Sequence, residues 1–584
     1  MTQLHGAVGK VPVEREEARP HNSLRVANRI VATLQDMGVD RVFGIPGGPI
    51  SPVTDALLDF GIEHVTCQHE TMAIYMAAGY ARVKKVPAVV MVTSGPGVLN
   101  ALCGLASAYC DEDPVLLLVG EVATASEGRG ALQDGSEGGL NIHQMVEPIT
   151  KYADVLTQPA RAESLVREMG RIMMTVPRGP AVLRLPVDVT QGTLQDGGAL
   201  PPVSIPQVLA GDIDPDPERC EQIAAAFRNA RRPALLAGGA LRRAEGAAAL
   251  LRLAEQTGCP VLTDLESKGL FPESHPLSLG IFGVGGGPKA QRYLQEGCDF
   301  LMTVGARLDD TTTANFSPLL QPEGTLVQID HDPRRLARAY RPDIMMAARL
   351  PDALDALSDL LAAAPRNHLA LGSFPPPDPR PSGHRLRDVP ALDTATILTS
   401  SDPQDPAAVI RALQHAFPPD TVFVSDIGNH LLFAGINLEL DLPDQFHAAI
   451  GLGGMGSGIG TAIGLQLAYG NTRQVVCICG DAGMLMYGNE LATAAKLGIG
   501  VVLAVFRDGR LGMVQSGNMR VFGRSQDLRI GGIRLGLLAR GVGANLATNW
   551  AGGGVDRGPR MFDIPIDPNI SVPNAREQTI ESDE

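Results

Sequence analysis

The chain has 584 residues, 44% hydrophobic and 19% charged, with a formal net charge of −15. At roughly 150 residues per domain, that length predicts about three or four globular domains with enough apolar surface for large cores. The acidic balance, without any basic stripe, argues against a nucleic-acid partner. No uninterrupted apolar run reaches the roughly 18–20 residues of a membrane span.

Residues 1–22 are polar and charged and read as a loose arm, with no apolar core of a secretory signal. The eight cysteines are scattered and form no Cys-x-x-Cys pair. Several lie in apolar contexts where a free thiol acts as a small hydrophobe, which favours a reducing, cytoplasmic compartment.

From Ser23 the pattern alternates between helical and strand periods. "SLRVANRIVATLQDMG" is helix-like and "RVFGI" strand-like, followed by "HETMAIYMAAGYARVK", "PAVVMVTSG", "GVLNALCGLASAYCD" and "PVLLLVG". Such alternation predicts an α/β fold with parallel sheets covered by helices. Strands that are apolar throughout, such as "VLLLV", suit burial on both faces. The first unit is predicted over 23–190. A Pro-rich stretch separates it from a second α/β unit over 205–364, with "RPALLAGG", "DFLMTVGA" and "TLVQID". A Pro-dense linker covers 365–406, and a third unit, with "TVFVSD", "QVVCICGD" and "GVVLAVFRD", fills 407–584. The first and third units share a layout that hints at duplication, without a visible sequence repeat.

Glycine-rich turns follow several of these strands. In doubly wound sheets, ligands bind in the crevice beyond the strand C-termini, where glycine lets backbone approach closely. "GLGGMGSGIG" (451–460) matches G-x-G-x-x-G and leads into a helix, which raises a nicotinamide-dependent oxidoreductase as an alternative. Asp481, however, stands in "GDAGMLM", opening a helix, and Asp508 ends the next strand in "FRDGRLGMV". Alone, "FRDG" is ordinary turn chemistry. Together, one βαβ unit delivers two carboxylates to one edge of the sheet. Mg²⁺ is held by one or two carboxylates plus ligand phosphates, and a helix N-terminus favours an anion. In the first unit Glu70 starts a helix with apolar flanks. It is either a carboxylate set against the helix dipole or a desolvated acid suited to proton transfer.

These motifs, in order over most of the chain, resemble thiamine-diphosphate-dependent enzymes of the acetolactate synthase group. The matching segments are "VFGIPGGPISPVTDAL", "QHETMAIYMAAGYAR", "VVMVTSGPGVLNAL", "PITKYA", "HPLSLGIFG", "VGARLDD", "VSDIGNH", "GLGGMGSGIG" and "GDAG…FRDGRLGMV". The resemblance implies a pyrimidine-binding, a central and a diphosphate-binding domain, and a set of roles. Glu70 would bond the aminopyrimidine ring of thiamine diphosphate and promote its imino tautomer. Gln133 matches a glutamine near the cofactor. Gly428, Asn429 and His430 match the segment that meets the diphosphate, with Gly480 leaving room for it and Ala482 and Gly483 offering N–H groups. Gly453 would accept from the 4'-amino group, and Met455 would wedge the cofactor into its bent form. Asp481, Asp508 and the carbonyl of Arg510 would ligate Mg²⁺. Glu70 and the metal motif would come from different subunits of a homodimer or homotetramer. FAD is possible in the central domain, where "GVGGG" (283–287) could approach a dinucleotide.

The implied activity is decarboxylation of a 2-keto acid, pyruvate first among them, and carboligation to a second carbonyl. The alternatives are simple decarboxylation, a specialised acyloin-forming carboligase, and a catalytically weak paralogue that folds and assembles. The last is raised by two departures. Arg507 stands where the family has Asn, and the segment after Ala539 is short for a complete helix–strand passage. If the strand persists to Arg507, its side chain points away from the face that Asp508 presents.

Overall fold

The computed structural model describes residues 25–194, 213–362, 402–547, 558–570 and 572. Among these, three six-stranded sheets form, and every strand pair in them is parallel. The first holds β1 (Arg41–Ile45), β2 (Glu63–Thr66), β3 (Ala88–Thr93), β4 (Val115–Glu121), β5 (Tyr152–Val155) and β6 (Ala181–Pro186), in the order β2-β1-β3-β4-β6-β5. The second holds β7 (Pro233–Ala237), β8 (Val261–Thr263), β9 (Ser278–Ile281), β10 (Phe300–Val304), β11 (Thr325–Asp330) and β12 (Ile344–Ala347), in the order β12-β11-β10-β7-β8-β9. The third holds β13 (Val422–Ser425), β14 (Phe446–His447), β15 (Val475–Gly480), β16 (Val502–Arg507), β17 (Asn545–Leu546) and β18 (Arg560–Pro565), in the order β14-β13-β15-β16-β18-β17.

Counted from its own first strand, the third sheet repeats the order of the first. The shared layout expected from the sequence is therefore a shared topology. The strands read as apolar throughout are indeed buried on both faces; β4 is buried at every residue. The arm (1–22) and most of the 365–406 linker lie outside the described residues. The third unit opens with Asp405 capping a helix at Pro406–Ala416, a residue earlier than the linker's expected end.

Two helices carry the contact between the first and third sheets. Glu70–Lys84 follows β2, and Ser457–Tyr469 follows β14, its topological counterpart. Residues 70–81 and 457–466 are buried without exception. A helix that is apolar all round belongs inside. Small residues bring the two backbones together. A Cβ on Gly464 would lie 2.0 Å from the carbonyl oxygen of Met76, and one on Gly79 would lie 2.5 Å from that of Thr461. Met72, Ile74 and Met76 then share one core with Ile459, Ala462 and Ile463.

Residues 548–557 of the C-terminal passage lie outside the described residues, and the strands on either side of them join the third sheet. β17 has only two residues and sits at the edge, while β18 inserts between it and β16.

Gly464→Ala is expected to destabilise the chain by roughly 1–3 kcal/mol, because the added methyl meets backbone that cannot yield as a side chain would. A urea midpoint equal to the parent's would contradict this packing.

Candidate active site

β15 and β16 are neighbours, and each ends in an acid at the same edge of the third sheet. Asp481 begins the Asp481–Tyr487 helix. It accepts from the N–H of Ala482 at 3.0 Å and from that of Gly509 at 2.9 Å. Asp508 accepts from the N–H of Arg510 at 3.3 Å. Burial, then the nearby Asp508, pushes Asp481 up to about 6, and burial raises Asp508 as well. Two desolvated carboxylates of like charge, with only the Arg510 guanidinium at 3.8 Å from Asp508, favour a cation between them.

The remaining expected groups collect around this pair. A Cβ on Gly512 would lie 2.4 Å from Asp508 Oδ2 and 3.3 Å from Asn429 Nδ2, so the Asn429 amide and Asp508 face one small space. Gly428 caps the Asn429–Asn437 helix. His430 is buried under it, 3.5 Å from where a Cβ on Gly480 would stand, with its ring edge-on to Phe506. Burial pushes His430 down to about 4, so its imidazole is neutral, and its Nε2 has no hydrogen-bond partner among the described residues. Gly483 cannot carry a side chain, because its Cβ would sit 2.5 Å from Asp426 Oδ2. Gly453 has φ +74° and open space on its Cβ side; Met455 beside it is half-buried. Arg510 also donates to the carbonyl of Pro568.

On the first domain, His69 caps the Glu70 helix, its Nδ1 accepting from the Thr71 N–H at 3.1 Å. Glu70 is buried and accepts from Asn100 Nδ2 at 3.1 Å. Gln133, in the turn region after β4, has φ +62°, and its amide oxygen accepts from Thr93 Oγ1 at the end of β3 at 3.2 Å. The two domains meet at the site. The His69 ring packs edge-on against Tyr487 at 5.4 Å, and Tyr487 closes over Gly456. The resemblance places Glu70 and the metal motif on different subunits; within this one chain, the Glu70 helix already packs on Ser457–Tyr469.

Sequence reasoning passed over several groups. Asp426 ends β13, is fully buried, and accepts from the N–H groups of Gly456 at 2.9 Å and Gly458 at 3.2 Å. Burial pushes it up to about 6. Its signal was visible: like Asp481, it is an acid at a strand end followed by a Gly-containing turn. Asn100 and Asp111 had no such signal, being polar residues within an ordinary helix pattern. Asp111 reaches across to accept from the Gly451 N–H at 2.9 Å, anchoring the glycine-rich turn to the first domain.

Arg507 does not disturb the carboxylates. β16 persists to Arg507, whose Nε donates to Asp563 Oδ1 on β18 at 2.7 Å. The departure from Asn thus has its own partner on the neighbouring strand.

Among the described residues no cluster of three or more His, Cys, Asp or Glu forms a metal site, and no helix is long and apolar enough to cross a membrane. Two carboxylates, a carbonyl and ligand phosphates do not require such a cluster, so the residues present fit Mg²⁺ and a diphosphate. A flavin fits less well. The central sheet has the strand order of a dinucleotide-binding domain, with its switch point between β7 and β10. There the space of Gly239 is taken by Glu266, whose Oε2 lies 2.1 Å from an added Cβ, and Gly238 meets the backbone of Ala306. Glu266 pairs with Arg243 at 3.0 Å and Arg307 at 3.4 Å, and Arg243 reaches Glu112 of the first domain at 3.3 Å. Gly283 closes on the carbonyls of Thr311 and Thr312, and Gly285 on Gly435. These glycines serve contacts within the protein, and the charges at the switch point are already paired with one another.

Three parallel α/β domains, with paired acids at one edge of the third sheet and the Glu70 helix of the first packed on the third, define the scaffold. Family models agree. Residues 24–139 match the N-terminal TPP binding domain of thiamine pyrophosphate enzymes, 220–357 the central domain, and 426–551 the C-terminal TPP binding domain. The chain belongs to the thiamine pyrophosphate enzyme family. It is 33% identical over 513 residues to a Methanocaldococcus jannaschii protein named "Probable acetolactate synthase large subunit", covering 86% of this chain and 83% of that one. It is 31% identical to the acetolactate synthase isozyme 3 large subunit of Escherichia coli, covering 84% and 83%. The benzoylformate decarboxylase of Polynucleobacter necessarius shares the fold, with a TM-score of 0.78 at 21% identity over 94% of this chain and 99% of that one.

Two outcomes test this description. Asp111 binds its proton more tightly folded than unfolded, since burial pushes it up to about 6. Its contribution to stability is therefore full below about pH 4 and is lost as pH rises through about 6. Asp111→Asn keeps the acceptor for Gly451 without titrating. Relative to the parent it should gain on the order of 1–2 kcal/mol across that window; parallel pH profiles of the urea midpoint would refute this. Arg507→Asn removes a half-exposed ion pair worth about 0.2–1 kcal/mol. It should leave Mg²⁺-dependent thiamine diphosphate binding, measured calorimetrically, within about threefold of the parent; loss of binding would show that Arg507 belongs to the site.

Proposed function

We infer that the chain is an acetolactate synthase-like enzyme that uses thiamine diphosphate and Mg²⁺ to decarboxylate a 2-keto acid, pyruvate first among them, and to join the resulting two-carbon unit to a second carbonyl. The observation that carries this reading is the pair Asp481 and Asp508, desolvated and side by side at the ends of β15 and β16, opening on a glycine floor. The relatives named as acetolactate synthases support the reaction class.

The cofactor, when bound, supplies the electron sink that decarboxylation requires. The protein's part is holding and proton placement. Asp481 and Asp508, with the carbonyl of Arg510, would hold Mg²⁺. Asn429, Gly480, and the N–H groups of Ala482 and Gly483 would hold the diphosphate. Gly428 and the neutral His430 would shape that wall. Gly453 and Met455 would set the cofactor's bend and accept its amino group. Glu70, kept in place by Asn100 and cut off from water, would hold the proton at the aminopyrimidine ring. Gln133 would face the substrate from the turn region after β4. On this reading the pyrimidine half belongs to 23–190 and the diphosphate half to 407–584.

A homodimer or larger homo-oligomer fits the surface. The Gly512–Phe522 helix buries none of its residues and exposes Val514, Met519 and Phe522. The free cysteines fit a cytoplasmic setting. Pairing of Arg507 with Asp563 speaks against a disturbed site at that departure, while the short C-terminal passage keeps the weak-paralogue alternative in play. Simple decarboxylation, the activity in the printed name of the structural neighbour, remains the second reading.

Incubation with thiamine diphosphate, Mg²⁺ and pyruvate should release CO₂ and yield a 2-acetohydroxy acid by mass spectrometry. Acetaldehyde as sole product would favour the decarboxylase. Glu70→Gln should lower turnover by at least about 100-fold with the fold intact. Unchanged turnover in that variant, or no cofactor binding by the parent, would overturn the reading.

A further inference from the structure

Glu490 is a buried carboxylate that none of these roles uses. It is fully buried, in a short 3-10 turn that follows directly from the Asp481–Tyr487 helix. Its partners are all hydrogen-bond donors. The Gln68 N–H lies 3.0 Å from Oε1 and 3.1 Å from Oε2, Thr493 Oγ1 donates at 2.7 Å, and the His69 N–H also contributes. No cation is among them. Thr493 strengthens the contact, lying 3.2 Å from the Thr66 carbonyl and 3.3 Å from Gln68 Nε2. Residues 67–69 form the loop that delivers Glu70 from the end of β2. A carboxylate taken out of water is costly unless it organises what surrounds it. Here the donors that satisfy it are the backbone of that loop.

A single stretch, 481–493, thus begins with a metal-site carboxylate and ends with a clamp on the loop before Glu70. Tyr487, between them, packs on His69.

We propose that Glu490 is a positioning residue that fixes Glu70 by holding the Gln68 and His69 N–H groups, so that the third domain of the chain sets where the first domain's acid stands. The inference rests on the proposed thiamine-diphosphate reading for what Glu70 does, but not for the clamp itself.

The test uses Glu490→Gln and Glu490→Ala in the full chain, each checked for folding by circular dichroism. In the cofactor-free protein, amide hydrogen exchange at Gln68 should rise by about tenfold in the Gln variant, which keeps one acceptor oxygen and loses the charge, and further in the Ala variant. In the loaded protein, exchange of the C2 proton of bound thiamine diphosphate should slow in the same order, while Mg²⁺-dependent cofactor affinity stays within about threefold of the parent. A folded Gln variant that matches the parent in either exchange rate overturns the proposal, as does a slowed C2 exchange explained wholly by lost cofactor affinity. If the parent shows no C2 exchange, the functional reading fails, and the cofactor-free amide exchange still decides whether the clamp exists. The Gln variant alone suffices should the Ala variant fail to fold.

Discussion

Everything at the site depends on how closely two buried helices can approach. Glu70–Lys84 and Ser457–Tyr469 cross with backbone against backbone, because Gly79 and Gly464 present no side chain where each meets a carbonyl of the other. That contact merges the cores of the first and third sheets into one. It also fixes the N-terminus of one helix, with Glu70, and of the other, with the Gly456–Gly458 turn, in a single frame. Burial on all sides removes most of the freedom either helix would have if one face met water. Asp111 and Glu490 then add hydrogen bonds across the same junction, each from a carboxylate to backbone N–H groups on the opposite domain.

The electrostatics follow from that burial. Asp426, Asp481 and Asp508 lie where desolvation raises their proton affinity, and they are offset mainly by backbone N–H donors rather than by cations. A protein that merely needed stability would gain by replacing such groups with apolar ones. Their presence suits the proposed cation site, with the glycines leaving room for an anion beside it. The central domain shows the opposite solution. At its switch point Glu266, Arg243, Arg307 and Glu112 pair with one another, so the crevice is filled by the chain's own charges and joins two domains.

Much of this was legible in the residue pattern. Alternation of helix and strand periods led to three parallel sheets, and apolar strands to burial on both faces. The acids at the ends of "VVCICGD" and "VVLAVFRD" reach one edge of the sheet because adjacent parallel strands end there together. Even Arg507 was readable, since alternation along a strand puts it on the face opposite Asp508. The glycine stretch 283–287 marks the limit of local reading. Glycine-rich turns look alike whether their open side meets a ligand or another stretch of backbone, and here Thr311, Thr312 and Gly435 occupy it.

The sequence by itself determined the local order: which segments become strands, where they end, and which acids, amides and glycines stand at those ends. These depend on periodicity and turn chemistry within a few residues. Only the tertiary structure decided which ends face one another. That Asp563 neutralises Arg507, that Asp111 holds Gly451, and that Glu490 holds the loop before Glu70 are contacts between residues far apart in the chain. No local pattern encodes them, because they exist only once strands distant in the chain pair and the two glycine-lined helices pack.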